Sequence, residues 1–166
     1  MTSGSARVQR EPFDAGHELN AFCSRNAISG GIATFVGQVR DFHSDGTHVA
    51  RMTLEHYPGM AERQFVDLIA DACRRWTLDD AVIIHRYGEL SPGDAIVFVA
   101  TASAHRAAAF ESCEFLMDWL KTQAPFWKKE SLPDGEAWVS AHVEDIRRAG
   151  RWSAPPVRPA SQAADD

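Results

Sequence analysis

A proline, Pro125, interrupts the amphipathic segment FLMDWLKTQAPFWKKE and limits where its helix can end. Proline lacks a backbone N–H donor and pushes the preceding residue out of helical geometry. The helix that carries Lys121 is therefore predicted to end at Gln123 or Ala124. Lys128 follows shortly after the break, and a chain reversal at the proline can direct both ammonium groups into one pocket. Lysines grouped in this way typically bind an anion, so we interpret the segment as a candidate site.

The same lysines also have an ordinary structural explanation. A lysine in the last turn of a helix complements the negative end of the helix dipole. Lys128, Lys129 and Glu130 are also compatible with a solvated surface stripe, because long charged side chains lie along apolar surface while their heads stay in water. From the residues alone, both interpretations remain open.

Hydrophobic periodicity divides the chain into strands and helices. Strands are predicted near residues 6–9, 31–39, 50–55, 81–87, 95–102 and 136–143. Helices are predicted after Asp14, Gly59 and Ser103. The turn sequence SPGD between the fourth and fifth of these strands predicts antiparallel pairing. Because strands and helices do not alternate strictly, the α+β class is favoured, with a mixed, largely antiparallel sheet and about three main helices.

Composition and length indicate one globular domain followed by a tail. The chain of 166 residues can bury a single core, and 45% hydrophobic with 24% charged residues is ordinary for a globular protein. Towards the end the sequence becomes RWSAPPVRPASQAADD, whose prolines and small residues bury little apolar area. We therefore predict a domain over residues 1–152 and a flexible Pro/Ala-rich tail over residues 153–166.

Charge and hydropathy exclude several classes of function. The formal net charge of −6 argues against nucleic-acid binding, because a phosphate backbone is normally met by a basic surface. No apolar run approaches the ~20 residues of a membrane span and no secretory segment is visible, so a cytoplasmic protein without membrane association is expected. Cys23, Cys73 and Cys113 lie far apart in apolar helical patterns and are expected to be reduced core residues.

A second cationic pair, His105 and Arg106, lies where the third helix is predicted to begin, with Ser103 as the expected cap. Cations in the first turn oppose the helix dipole, at a cost of up to about 1 kcal/mol. This placement is explained if the exposed backbone amides and Arg106 together bind an anion. The alternative, which remains open, is a solvated arginine beside a hydrogen-bonded core histidine.

Arg40 follows a predicted strand and precedes a loop, residues 41–48, that is expected to be mobile. Its guanidinium group can bind phosphate through two parallel hydrogen bonds, or it can pair with Asp41 or another surface carboxylate. Gly37 in the strand indicates a bulge or a close approach of a ligand to the backbone.

The other chemistry-bearing residues match no metal, nucleophile or nucleotide motif. His43 and His48 have no zinc or calcium spacing, so no metal site is expected. Ser103 lies near His105, but no G-x-S-x-G elbow is present. The Gly30-Gly31 pair lacks the further glycines and the lysine of a phosphate loop, so no use of ATP is expected.

Several motifs in the same order carry a resemblance to a known family. They are FVGQVRD at 35–41, LEHYPGMAE at 54–62, SAHR at 103–106 and the segment at 115–130. With these motifs, residues 8–152 resemble the large, catalytic subunit of molybdopterin synthase. The resemblance implies an α/β hammerhead-type fold. It also implies a homodimer that forms a heterotetramer with two small subunits.

The resemblance implies a sulfur-transfer reaction. A small ubiquitin-like subunit carries a thiocarboxylate on its C-terminal Gly-Gly sequence and inserts this tail into the pocket of the large subunit. Two rounds of transfer onto cyclic pyranopterin monophosphate form the dithiolene of molybdopterin, without a cofactor. Phe126 and Trp127 are placed to wall a channel for the tail, or they belong to the core or to a dimer contact. The alternative function is a non-catalytic module that binds a small phosphorylated ligand or a ubiquitin-like tail.

The resemblance also implies the residues of the site. Lys121 is the candidate catalytic group, because desolvation and neighbouring cations lower the pKa of a lysine. Lys128 is expected to position the substrate and to assist, and Arg40, His105 and Arg106 are expected to hold its phosphate. The predicted substrate-binding residues are Gln38, Val39, Arg40, His105, Arg106, Lys121, Lys128, Lys129 and Glu130.

Overall fold

The structure, a computed structural model, describes residues 3–41, 46–140 and 142–153. Within them, the chain forms eight β-strands, four α-helices and a 3-10 turn, so the predicted α+β class is confirmed. In chain order these are β1 (Ser3–Gln9), α1 (Ala15–Arg25), β2 (Gly31–Gln38), β3 (Arg51–His56), α2 (Met60–Arg75), β4 (Asp80–Arg86), β5 (Gly88–Leu90), β6 (Ala95–Ser103), α3 (Arg106–Thr122), β7 (Phe126–Leu132), β8 (Gly135–Val139), α4 (Val143–Gly150) and the 3-10 helix Arg151–Ser153.

The strands are divided between two four-stranded sheets. The first sheet has the strand order β1-β4-β6-β2 and the second has the order β5-β3-β7-β8. The pair β1–β4 is parallel and the other described pairs are antiparallel, as predicted for a mixed, largely antiparallel arrangement. The strands β4 and β6 pair as expected from the SPGD turn, but β5 lies between them in sequence and joins the second sheet.

The core lies on both faces of the first sheet. On one face, Ala81 and Ile83 of β4 pack with apolar residues of α2 and α3. On the other face, Val82 and Ile84 pack with Phe22 of α1. Each fully buried large side chain contributes about 1.5–3 kcal/mol of hydrophobic stabilisation. Because β4 is packed on both faces, the side chains that it carries are held firmly in place.

Helix α3 runs back along β6 and has two chemically different ends. The predicted inner stripe of Ala109, Cys113, Leu116 and Leu120 is buried. The helix ends at Thr122 with Gln123 as its C-cap, so the predicted effect of the proline is confirmed to within two residues. At 1.5 Å per residue, about 22 Å of helix separate Arg106 in the first turn from Lys121 in the last.

Two predictions about the C-terminal part were wrong. The final strand was expected at 136–143, but β8 ends at Val139 and a fourth helix, α4, begins at Val143. Residues 126–132 form the additional strand β7, which pairs with β3 and β8. Hydrophobic alternation did not reveal this strand because two positions on its inner face are Lys128 and Glu130.

Two local predictions were also wrong. Ser103 does not cap α3, because the N-cap is His105 and the Ser103 hydroxyl donates to the Thr77 carbonyl at 2.8 Å. Cys23 is exposed rather than part of the core, since only Phe22 of α1 is fully buried. Cys113 is buried, as expected.

Some predictions fall outside the described residues or are not tested by them. The centre of the loop at 41–48, which includes His43, and the tail beyond 153 lie outside the described residues. The division at residue 152 stays a prediction, although Trp152 contacts Trp76 with ring centroids 5.6 Å apart. None of the helices in the described ranges is long and apolar enough to cross a membrane.

Candidate functional site

A pocket of about 560 Å³ lies where the end of α3 meets β2 and the second sheet. Lys121 and Lys128, the two lysines that were predicted to be catalytic, both line it, so the chain reversal after α3 brings them to one pocket. The other lining residues are Phe35, Gly37, Gln38, Met52, Leu54, His85, Ile96, Val97, Met117, Leu120, Thr122, Ala124, Phe126, Trp127, Trp138, Val139, Ser140, His142 and Asp145.

The two lysines reach the pocket from different elements, a helix and a strand. Lys121 lies in the last turn of α3, where a cation complements the helix dipole. Lys128 is on β7, opposite Leu54 of β3. Its ammonium Nζ lies 2.6 Å from Oε1 of Glu130, whose side chain is only 5% exposed. The ion pair holds Lys128 against the strand, so one lysine is anchored by a buried carboxylate and the other by the helix end.

The pocket lowers the pKa of Lys121 below its ordinary value. Its side chain keeps access to solvent, but the pocket walls remove part of the hydration of the ammonium group, and this desolvation is the main cause. Asp145 opposes the shift, whereas Lys128 and Arg40 add to it. A lysine shifted in this direction gives up a proton more readily than a free lysine, which suits proton transfer.

Aromatic rings form one wall of the pocket. Phe126 stacks on His85 with centroids 4.1 Å apart and an interplanar angle of 16°. Trp127 meets Tyr57 edge to face at 5.5 Å. Burial lowers the pKa of His85 to about 4, with Lys121 and His56 adding to the effect against a hydrogen bond with the Arg86 carbonyl. The wall is therefore uncharged at neutral pH.

The segment after β2 brings Arg40 towards this pocket. The pairing of β2 with β6 shifts register between Gly37 and Gln38, which confirms the bulge indicated by the glycine. A Cβ at Gly37 would lie 2.7 Å from a methyl group of Val97, so a side chain there has no room. Gln38 lines the pocket and Val39 is buried beside it. Arg40 is exposed but close enough to Lys121 to lower its pKa.

Lys129 lies on the opposite face of β7 from Lys128, because successive side chains of a strand alternate. Its ammonium group is 2.9 Å from Glu136 and 5.8 Å from the ring centre of Trp138. The ion pair with Glu136 raises the pKa of Lys129. Adjacent lysines in the sequence therefore have different environments, and Lys129 does not line the pocket.

His105 and Arg106 lie at the other end of α3. Both are exposed, and neither belongs to the lining of the pocket described above. The Arg106 backbone lies beside Gly31, where β2 begins, whereas Arg40 lies beyond the far end of that strand of roughly 23 Å. A small anion therefore cannot contact both Arg40 and Arg106 of one chain.

Sequence reasoning missed several residues of the pocket. His85 occurs in the buried strand pattern of β4, which gave no reason to separate it from the core. His142 and Asp145 belong to the segment in which the final strand was wrongly extended. A correct boundary for β8 would have placed them at the start of a helix near the two lysines.

Comparisons with known proteins agree on one family. The family model described as MoaE protein matches residues 8–123. A molybdopterin synthase catalytic subunit from Pseudomonas aeruginosa is 52% identical over 146 residues, which cover 88% of this chain and 97% of that protein. The solved structure of a molybdopterin biosynthesis MoaE protein from Burkholderia ambifaria is 49% identical, with a TM-score of 0.76, and covers 93% of this chain and 99% of its own. A Staphylococcus aureus molybdopterin synthase structure is 27% identical with a TM-score of 0.71, over 80% of this chain and 95% of that one.

Proposed function

The chain belongs to the MoaE family of molybdopterin synthase catalytic subunits, and from this premise we propose that its two-lysine pocket transfers sulfur onto cyclic pyranopterin monophosphate. The sulfur donor is the C-terminal Gly-Gly thiocarboxylate of a small ubiquitin-like subunit. Two transfers form the dithiolene of molybdopterin. The observation that carries the proposal is the convergence of Lys121 and Lys128 on one pocket beside an uncharged aromatic wall.

The geometry suits a reaction in which negative charge develops on a bound phosphate ester. Ammonium groups that are already in place stabilise such charge without reorganisation, and a partly desolvated site strengthens the effect. Lys121 is the proposed general acid and base, because its pKa is lowered. Lys128 is fixed by Glu130 and is the proposed positioning cation, with Gln38, Val39 and Arg40 at the edge of the pocket.

The aromatic side of the pocket suits an extended glycine tail. Glycine has no Cβ and can enter a channel that excludes other residues. Phe126 and Trp127 both line the pocket, and Trp127 is held from outside by Tyr57. A thiocarboxylate held against the reacting carbon gains rate mainly from proximity and orientation. The length of the partner's tail is therefore expected to be critical.

The proposal includes a homodimer, because one chain cannot bring all nine predicted binding residues together. Gln38, Val39, Arg40, Lys121, Lys128 and Glu130 lie in or beside the pocket, whereas His105 and Arg106 lie about 22 Å away along α3. A second copy of the chain can present its own His105 and Arg106 to this pocket. Lys129, which pairs with Glu136 and does not line the pocket, is the weakest member of the proposed set.

Reconstitution tests the proposed function. The purified chain, thiocarboxylated partner and cyclic pyranopterin monophosphate are expected to produce a dithiolene, measured as sulfur incorporated per precursor. A partner that lacks its terminal glycine is expected to bind but not to transfer sulfur. Unimpaired transfer from the shortened partner, or equally fast incorporation of free sulfide, would contradict the proposal.

The alternative is a non-catalytic module that binds a small phosphorylated ligand or a ubiquitin-like tail with the same cations. It predicts binding of precursor or partner without turnover, so the reconstitution assay separates the two functions.

The proposal further includes a cytoplasmic location, where free thiols such as the exposed Cys23 stay reduced, and a reaction that needs no metal or organic cofactor.

A further inference from the structure

We propose that His85 is a positioning residue of the pocket, whose ring nitrogen Nε2 accepts a hydrogen bond from an N–H group of the pterin ring. This inference rests on the proposed function, since it assigns to His85 a part of the substrate that the cationic residues do not hold. His85 is not among the residues that the sequence or the family resemblance indicated.

His85 has an unusual position among the pocket residues. It lies near the end of β4, the strand that is covered on both faces, and it is 8% exposed. Among the described residues that line the pocket, His85 is the only polar residue that is buried. Phe126 stacks on its ring and Phe65 lies 6.0 Å away. The imidazole is therefore held in one orientation by packing.

The hydrogen bond at the other nitrogen determines the tautomer. Nδ1 lies 2.8 Å from the carbonyl oxygen of Arg86, and because a carbonyl can only accept, Nδ1 must carry the proton. This carbonyl is well fixed, since the buried Arg86 side chain donates to the carbonyls of Arg10 at 3.2 Å and Ala95 at 3.3 Å. In the neutral ring, Nε2 is then an acceptor, and it has no hydrogen-bond partner in the described part of the chain.

A neutral acceptor complements the other groups of the pocket. Lys121 and Lys128 offer only donors, which suit the phosphate of the substrate. A pterin ring also has amino and ring N–H donors, and these need acceptors. The low pKa of His85 keeps it uncharged next to Lys121, so that it accepts rather than competes for the phosphate. His85 thus orients the ring while the lysines hold the anion.

Three substitutions separate the acceptor from the structural contacts of the imidazole. His85→Asn keeps a donor near Nδ1 for the Arg86 carbonyl but has nothing at Nε2. His85→Phe keeps the stack on Phe126 and has neither nitrogen. His85→Gln extends an amide to about the position of Nε2 and can restore an acceptor there. His56→Phe is the matched control, because His56 also contacts the Phe126 ring, at 5.7 Å, without lining the pocket.

The measurement is steady-state dithiolene formation with thiocarboxylated partner, at varied precursor and then at varied partner, together with thermal unfolding. For His85→Asn and His85→Phe, kcat/KM for the precursor is expected to fall about tenfold or more, while KM for the partner is unchanged. His85→Gln is expected to recover a substantial part of this loss, and His56→Phe is expected to stay within about twofold of wild type.

The possible outcomes separate this inference from the proposed function. Wild-type protein that makes no dithiolene contradicts the proposed function itself. Active wild-type protein with a near-normal His85→Asn or His85→Phe variant overturns the role of Nε2. If His85→Phe does not fold, the comparison of Asn with Gln decides, and equal losses in both overturn the proposal. A parallel rise in KM for precursor and partner likewise overturns it, because it indicates general damage to the pocket.

Discussion

The two ends of α3 carry cations of different character. At the C-terminal end, Lys121 complements the helix dipole, lies in a pocket and has a lowered pKa. At the N-terminal end, Arg106 opposes the dipole, and both Arg106 and the neighbouring His105 are exposed. The first arrangement is favourable within one chain, whereas the second costs free energy that a bound anion or a second molecule can offset. The C-terminal end thus forms a pocket within one chain, whereas we propose that the N-terminal end contributes to a site together with another molecule.

The site at the C-terminal end of α3 also combines residues from more secondary-structure elements than the N-terminal end does. Lys121 comes from a helix packed on the first sheet, and Lys128 comes from the second sheet. At the N-terminal end, two backbone segments pack closely together instead. A Cβ on Gly30 would overlap the carbonyl oxygen of Ala104. Close backbone packing there holds the helix start in place, which is useful if it must be presented to another molecule.

The largest expected effect is on catalysis at the C-terminal end. Lys121→Ala should reduce dithiolene formation by about 100-fold or more, the usual contribution of a general acid or base. The free energy of unfolding of this variant should change by less than about 1 kcal/mol, because the side chain of Lys121 is exposed. Reconstituted turnover and urea unfolding provide the two measurements. Near-normal turnover would transfer the catalytic role to Lys128.

A mixing experiment tests whether the N-terminal end of α3 in one chain completes the pocket at the C-terminal end in a second chain. Lys121→Ala and Arg106→Ala chains should each be nearly inactive alone. If Arg106 acts in the pocket of a second copy, mixed dimers contain one intact site, and an equal mixture should recover about a quarter of wild-type activity. Co-expression exchanges the subunits, and mixed dimers isolated by two tags should reach about half of wild-type activity, since one of their two sites is intact. A mixture as inactive as its parents would show that Arg106 does not act across a dimer.

A neighbouring pair of lysines sharpens the comparison within β7. Lys128→Ala should lower turnover about tenfold and destabilise the fold by about 1 kcal/mol, because buried Glu130 loses this ion pair. Lys129→Ala should have the smaller effect on both, since Lys129 does not line the pocket and its ion-pair partner, Glu136, is exposed. The two variants are measured side by side for rate and for urea unfolding. Equal effects would mean that the face of the strand does not decide function.

The smallest expected effect is a displacement of the pH–rate profile. Asp145 raises the pKa of Lys121, so Asp145→Asn should move the Lys121-dependent inflection to lower pH. Arg40 lowers the same pKa, so Arg40→Gln should move the inflection to higher pH. The sign is the same whether the charged or the neutral lysine is the active form. Movement of both variants in one direction would contradict this electrostatic description.

Sequence reasoning predicted the parts that depend on local rules. Pro125 ended α3 near the expected residue, Gly37 marked a bulge, and the apolar stripe of α3 was buried as its spacing required. Strand β7 was missed because its inner face carries Lys128 and Glu130, which form an ion pair that the sequence pattern does not reveal. The separation of Arg106 from Lys121 was in fact available from the sequence, since both lay on one predicted helix and its rise per residue sets their distance.

Lys121 lies on α3, which packs on the first sheet, and Lys128 lies on β7 of the second sheet. Among the described residues no strand of one sheet pairs with a strand of the other, so the two sheets are joined by packing and by turns. The turn from Gln123 to Pro125 and the stack of His85 on Phe126 are part of that connection. A ligand that binds Lys121 and Lys128 together therefore acts as a non-covalent cross-link between the sheets. Occupancy of the pocket raises the melting temperature of both sheets as one unit, in proportion to the logarithm of ligand concentration once the site is saturated.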